Sequence, residues 1–521
     1  MASELSPPTT HADSQSENLY IPERAPTDEH RTLILLFDGT GDKEDADVTN
    51  IVLLRDMLYG WGDDTANNDK QLVYYQQGIG TYFPRFKDTN FYIPFLSPVS
   101  RTVDEAIAWS LPYHVIDGYR WLVENYKPGD KVSIFGFSRG AYTARALAGM
   151  LNAVDLLPPS HLDKADDAYK LFDRAIPKER YRDDPITKEA WTKLVADFAT
   201  FKNENHCTTV FIDFLGCWDT VNSVGMIRPI KLKFTANNDI VRVFRHALAL
   251  DEHRVRFKPN LWGKPKPQAN SKPRVVTDVE EVWFAGCHCD VGGGSVRNDV
   301  RPSLAHIPLR WMIRQIFKTE TGILFKADDI KIIGIEPSHL YPKVLPRPNP
   351  LPPPDDATLS PPNVPGFIKG WTNYFISFLP FTGPTPKPLT IPHPDVTEEE
   401  HDLLDCLSPV YDQLELKPTT WRPMEECPLI TEVFQPNAVY PELSYKEERT
   451  RHLGAGRTIP PASSTHGNKI KIHRTVKIRM QAATVASAGK GKGEHYCPKA
   501  RVTYDKVDFA KADATQFEWV D

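Results

Sequence analysis

Five residues, Gly136-Phe137-Ser138-Arg139-Gly140, constrain the fold of this chain more than any other stretch. They join a short apolar run, Val132 to Phe135, directly to a small-residue segment with helical spacing, Arg139 to Ala153. A serine at such a strand-to-helix turn is held in a strained backbone conformation with its hydroxyl presented above the sheet. The residues two before and two after it must be tiny, because larger side chains would collide, and Gly136 and Gly140 meet that condition. Ala141 and Ala144 let the helix lie close to the strand, and the helix N-terminus places a positive dipole end beneath a developing oxyanion. The pattern predicts a nucleophile elbow. The competing reading is an ordinary glycine-bounded turn with an inert serine.

The surrounding chain supplies the sheet such an elbow needs. Thr32 to Phe37 is a continuous apolar run ended by Asp38-Gly39-Thr40-Gly41, as expected of a strand buried on both faces. Gln71 to Gln77, Thr209 to Trp218 and Glu281 to Ala285 read as further strands. Helical spacing runs from Pro112, placed where a first turn has no N–H bond to lose, to Tyr126, and again from Pro308 to Phe317. Strands alternating with helices predict an α/β fold of the α/β-hydrolase type: a doubly wound, mostly parallel sheet covered on both faces. Ile470 to Met480 reads as one more strand.

A serine hydroxyl needs a base, and the base needs an orienting acid. In α/β-hydrolases the order is serine, acid, histidine, each beyond the C-terminal end of a strand. Asp219 leaves the run FIDFLGCW, and His288 follows VWFAGC ahead of a flexible Val291-Gly292-Gly293-Gly294. Asp213, inside its run, and Asp290, after the base, are the rival acids. His206, His246 and His253 are the rival bases, the last two in a helix-like stretch. The oxyanion hole is expected from the Arg139 amide and from Gly39 and Thr40 in the loop after the first strand, where Asp38 bonds either the loop or the histidine. Cys287-His288-Cys289-Asp290 offers metal-ligand types, but without the spaced second pair of a zinc site. The chemistry therefore asks for no cofactor and no metal.

Charge and cysteine usage narrow the rest. With 62 basic residues against 68 acidic ones, the chain lacks the basic surface that drives nucleic-acid binding. Seven cysteines scattered over 521 residues fit a reducing compartment better than a disulfide framework. No signal-peptide pattern and no stretch near the ~20 apolar residues of a membrane span is present, so a cytoplasmic location is expected.

Taken in order, FDGTGD, GFSRGAYTARALAGML, FLGCWDTV, LALDEHRVRF and VWFAGCHCDVGGG resemble the Tle-type α/β-hydrolases, the type VI secretion phospholipase effectors of bacteria and their fungal relatives. LRWMIRQ, Leu309 to Gln315, extends the similarity, which covers roughly Arg31 to Phe317. The resemblance implies a catalytic serine at Ser138, an acid at Asp219 and a histidine at His288. It also implies hydrolysis of lipid or phospholipid acyl esters. The expected organisation is a polar, disordered leader over residues 1–30 and a catalytic domain over 31–318. A proline-rich connector over 340–398 and a C-terminal region over 400–521, packing on or extending the catalytic domain, complete it. Within the connector, Gly366 to Gly383 holds nine large apolar residues and one charge. Trp371, Phe375 and Phe378 there mark either a lid over Ser138 or plain core. The expected ligand is a small-molecule or lipid ester, with peripheral membrane contact and without nucleic acid. A pseudo-hydrolase scaffold, a peptidase and an acyltransferase are the rival functions.

Overall fold

A computed structural model describes residues 20–24, 30–39, 48–62, 70–78, 98–174, 188–221, 238–263, 275–296, 302–355, 357–359, 396–426, 429–434, 445–462, 466–484, 495–502, 505–506 and 516–521. Among these, the central sheet has eight strands: β1 (Thr32–Phe37), β2 (Gln71–Gln76), β3 (Lys131–Phe137), β4 (Ile212–Trp218), β5 (Val241–Ala249), β6 (Asp278–Phe284), β7 (Ile470–His473) and β8 (Phe517–Val520). Their order is β8-β7-β6-β5-β4-β3-β1-β2, and each neighbouring pair is parallel. The chain leaves β1 toward one edge of the sheet and returns at β3 to build toward the other. The reversal puts a crevice at the C-terminal ends of β1 and β3, where ligands of open α/β sheets bind.

Period-2 alternation along β1 explains why both sheet faces are dry. Leu33, Leu35 and Phe37 join a core with Val115, Tyr119 and Leu147, supplied by α1 (Pro98–Asn125) and α2 (Arg139–Val154). Ile34 and Leu36 join a second core with Phe135, Trp218 and Trp311, the last on α3 (His306–Lys318). A six-residue run buried along its whole length is what a strand packed on both faces requires.

Four local expectations give way to tertiary structure. Pro112 lies inside α1, not at its start; Leu111, Val115, Tyr119 and Leu122, all buried against the sheet, carry the helix through the proline. His246, expected in a helix, stands on β5, whose Val241, Phe244, Ala247 and Leu248 are buried between its sheet neighbours β4 and β6. The run from Ile470 splits after His473: its imidazole accepts from the Thr475 amide and starts a helix, α4 (Arg474–Gln481), where a strand to Met480 was expected. Tyr20–Ile21, inside the expected leader, pairs antiparallel with Phe325–Lys326.

The C-terminal part of the chain joins the sheet through β7, against β6, and β8. It is also held by buried charge. On α3, Arg310 meets Asp402 (2.7 Å) and Asp405 (2.6 Å), and Arg314 takes Glu398 in a two-pronged bond (2.8 and 2.5 Å). The two arginines are one helical turn apart and face α5 (Glu398–Cys406). Arg347 adds contacts to Asp402 at 2.8 Å and Glu398 at 3.3 Å.

Candidate active site

Ser138 occupies the turn between β3 and α2 with φ 58° and ψ −119°, a region that non-glycine residues enter at a cost of about 1–3 kcal/mol. The two flanking glycines show why the turn tolerates nothing larger. A Cβ on Gly136 would stand 2.5 Å from Ala141 Cα, and one on Gly140 only 2.2 Å from the Phe37 carbonyl oxygen. The Ser138 amide donates to the Trp218 carbonyl at 3.0 Å, which ties the turn to the end of β4.

That anchoring brings three side chains together from 150 residues of sequence. The Ser138 hydroxyl lies 2.8 Å from His288 Nε2, and His288 Nδ1 lies 2.6 Å from Asp219 Oδ2. Asp219 leaves β4 with φ 40° and His288 opens a short helix, His288–Gly292, with three residues between it and the end of β6. In the neutral ring Nδ1–H donates to the carboxylate and Nε2 accepts from the serine. All three are buried. Burial pushes His288 below the usual imidazole range, against the upward pull of Asp219. Burial alone would raise the Asp219 carboxyl, but the Arg457 guanidinium and the His288 hydrogen bond hold it well below the usual carboxylate range.

The rivals have other occupations. Asp213 accepts from the Val132 amide at 3.0 Å and pairs with Arg242 at 3.4 Å, at the irregular register between β3 and β4. Asp290 accepts from the Cys287 amide at 2.9 Å and caps the helix that carries His288; burial pushes its carboxyl up to about 7. His246 accepts from the Thr220 amide at 3.0 Å and faces Glu281 at 3.0 Å, bracing the backbone beside Asp219. His253 faces Asp412 at 2.7 Å, and His206 stacks on His161.

On the oxyanion side, Arg139 is the first residue of α2. The Gly39 amide donates to the carboxylate of its own neighbour, Asp38, at 2.7 Å. Asp38 also accepts from Thr49 (2.7 Å) and Tyr75 (2.8 Å), so it serves the loop. Thr40 lies outside the described residues, as do Gly41 and the Trp371, Phe375 and Phe378 segment.

Cys287 through Asp290 do not form a ligand set: the Cys287 thiol reaches the Asp251 carbonyl, while His288 and Asp290 are used as above. Among the described residues, His253, Asp412 and Glu415 come within reach of one ion. The Lys499 ammonium already stands there, 2.5 Å from Asp412 and 3.1 Å from His253.

Sequence reasoning missed two contributors. Glu252 reaches the His288 amide at 3.3 Å and is locked to Arg254, whose guanidinium stacks on Phe257. Arg457 bonds both oxygens of Asp219, at 2.6 and 2.8 Å. Glu252 lies inside the LALDEHRVRF segment, where nothing local marks its reach to His288, and Arg457 lies outside every motif; only the fold makes them neighbours of the site.

Residues 31–315 match the family described as "T6SS, Phospholipase effector Tle1-like, catalytic domain". The chain is 33% identical over 240 residues to the uncharacterized protein YEL023C of Saccharomyces cerevisiae, a match that covers 46% of this chain and 33% of that protein. It thus spans about a third of the length of that curated relative. Among solved structures, it is similar to an uncharacterized protein from Pseudomonas aeruginosa (TM-score 0.31, 19% identity, covering 56% of this chain and 46% of that one). It is also similar to the Tle1 effector solved bound to the VgrG spike of the type VI secretion system (TM-score 0.27, 16% identity, 51% of each chain). With its match running over more than half of the chain, the protein belongs to the family of Tle1-like phospholipase effector catalytic domains.

Proposed function

We propose that this chain is a serine hydrolase that cleaves carboxylic esters, with lipid or phospholipid acyl esters as its substrate class, through Ser138, His288 and Asp219. The observation that carries the reading is the continuous hydrogen-bond chain from Ser138 through His288 to Asp219, built on an elbow that excludes any side chain at Gly136 and Gly140. The family's description as phospholipase effectors supports the lipid class.

In this reading Ser138 Oγ attacks the acyl carbonyl as its proton passes to His288 Nε2. Asp219 holds the ring in the Nδ1–H tautomer and stabilises the imidazolium that forms. The Arg139 amide, at the positive end of α2, donates to the tetrahedral oxyanion; the Gly39 amide is taken by Asp38, which leaves Thr40 as the second donor in this reading. Collapse of the intermediate sends the His288 proton to the leaving alcohol and leaves an acyl-enzyme. Water, deprotonated by His288, releases the fatty acid. A buried site strengthens each of these charge interactions.

The test is fatty-acid release from phosphatidylcholine vesicles and from a short soluble ester, by wild type and by Ser138→Ala. Wild type is expected to turn over both, and the variant to lose on the order of 10⁴-fold or more. A variant with wild-type turnover would remove Ser138 from the chemistry. Amide cleavage by wild type without ester cleavage would move the enzyme to the peptidases.

A further inference from the structure

Asp219 carries more bonds than orienting a histidine requires. Its Oδ2 accepts from His288 Nδ1 at 2.6 Å, and its Oδ1 accepts from the Ala249 amide at 2.9 Å. Both oxygens also receive the Arg457 fork, NH1 on Oδ1 at 2.6 Å and NH2 on Oδ2 at 2.8 Å. The guanidinium is itself tethered, with Nε donating to the Phe257 carbonyl at 2.8 Å and NH1 to the Ala249 carbonyl at 3.0 Å. Phe257 in turn stands edge-on to the His288 ring, centroids 4.9 Å apart. Arg457 lies 238 positions from Asp219 and beyond residue 315, where the family match ends.

We propose that Arg457 is a positioning residue of this site, its fork fixing the plane of the Asp219 carboxylate and, through it and Phe257, the tautomer and tilt of the His288 ring, so that the family-matched segment is incomplete without the C-terminal part of the chain. The inference rests on the hydrolase reading above. Two physical effects carry it. A planar, bidentate fork removes the rotation about Cβ–Cγ that one amide and one imidazole would leave to the carboxylate. Its charge also joins the His288 hydrogen bond in holding a fully buried carboxylate ionised against the upward push of burial.

The same charge acts on His288. Around that ring stand Asp219 with Arg457 behind it and the Glu252–Arg254 pair from the chain after β5, while Asp290, on the same helix as His288, is turned to the Cys287 and Tyr411 amides. His246 stands behind Asp219 and is paired with Glu281. Arg457 offsets part of the Asp219 charge and so disfavours the imidazolium. Its removal favours the imidazolium, and the acid limb of kcat/KM, set by protonation of the base, moves to higher pH. A guanidinium that served only as a counterion would be matched by a lysine ammonium, with kcat and the His288 resonance left as in wild type.

The experiment compares full-length wild type, Arg457→Lys and Arg457→Gln. The readouts are Tm, kcat, KM and pH profile on a short p-nitrophenyl ester, together with the downfield proton resonance of His288 Nδ1–H, which needs no substrate. The Lys variant keeps the charge and loses the fork. Its acid limb is expected to stay, with kcat down on the order of 10- to 100-fold and KM unchanged. The Gln variant loses both, and its acid limb is expected to rise by about one pH unit or more. A folded Gln variant with wild-type kcat and an unmoved limb would overturn the proposal. If the Gln variant does not fold, wild-type kcat and an unaltered resonance in the Lys variant would overturn it equally. Absence of ester turnover in wild type would instead strike the hydrolase reading, while the Nδ1–H resonance and its titration in the variants would still test the positioning of His288.

Discussion

From residue 31 to 315 the chain holds its candidate reactive groups by backbone geometry, whereas the C-terminal part, besides adding β7 and β8 to the sheet, is tied to that segment by buried charge. In the first segment Ser138 and Asp219 leave the C-terminal ends of adjacent parallel strands, both at positive φ, and His288 starts a capped helix beyond β6. Their side chains meet because the strands are in register. In the second segment Arg457, Glu398, Asp402 and Asp405 reach across to Asp219, Arg314 and Arg310. Losing a group from the first should remove chemistry at little cost in stability. Losing one from the second should cost stability first, except at Arg457, where the two segments share one carboxylate.

The largest effect expected from that contrast is at the acid. Asp219→Asn preserves shape but favours the wrong imidazole tautomer, so ester turnover should fall by about 10⁴-fold. Asp213→Asn, on the same strand and bonded to the Val132 amide of β3 and to Arg242, should leave turnover near wild type. If Asp213 were the crippling position, the acid would belong inside β4.

At the charge junction, Asp402→Ala leaves Arg310 and Arg347 without their shared carboxylate in a buried setting. Breaking such a pair costs about 3–5 kcal/mol, to be read as a lowered denaturation midpoint. Turnover well below the melting temperature should stay near wild type. An unchanged midpoint would mean the C-terminal part is not held by this cluster.

The last effect is spread over pH, where two buried carboxylates of the site point in opposite directions. Asp219 is held below its ordinary range, so its contribution is present above the unfolded value and lost as pH falls through the folded one. Asp290, whose carboxylate accepts from the Cys287 and Tyr411 amides, is pushed up to about 7 by burial. Its contribution is fully present below the unfolded value and lost as pH rises through about 7. Between about pH 4 and 7, wild type should therefore lose stability relative to Asp290→Asn at about 1.4 kcal/mol per unit. Parallel stability curves for the two proteins would contradict the burial argument.

What the sequence made legible follows the same division. The elbow, the buried β1 run and the exits at Asp219 and His288 are written in adjacent residues, because a tight turn and a two-faced strand restrict their own composition. The helix around Pro112 and the strand that carries His246 were misread because packing against the sheet outweighed local preference. Arg457 was invisible for a different reason. An ion pair leaves no periodicity, and the 238 positions to Asp219 close only when β7 docks on β6 and brings its neighbouring loops over the site.

The central claim, that Ser138 is an activated nucleophile, is tested most directly by fluorophosphonate labelling of the full-length protein followed by intact mass and peptide mapping. The account predicts a single adduct on the Ser138 peptide, formed near neutral pH, suppressed on acidification as His288 protonates, and absent in Ser138→Ala. No adduct on folded wild-type protein, or an adduct that persists in Ser138→Ala, would contradict it.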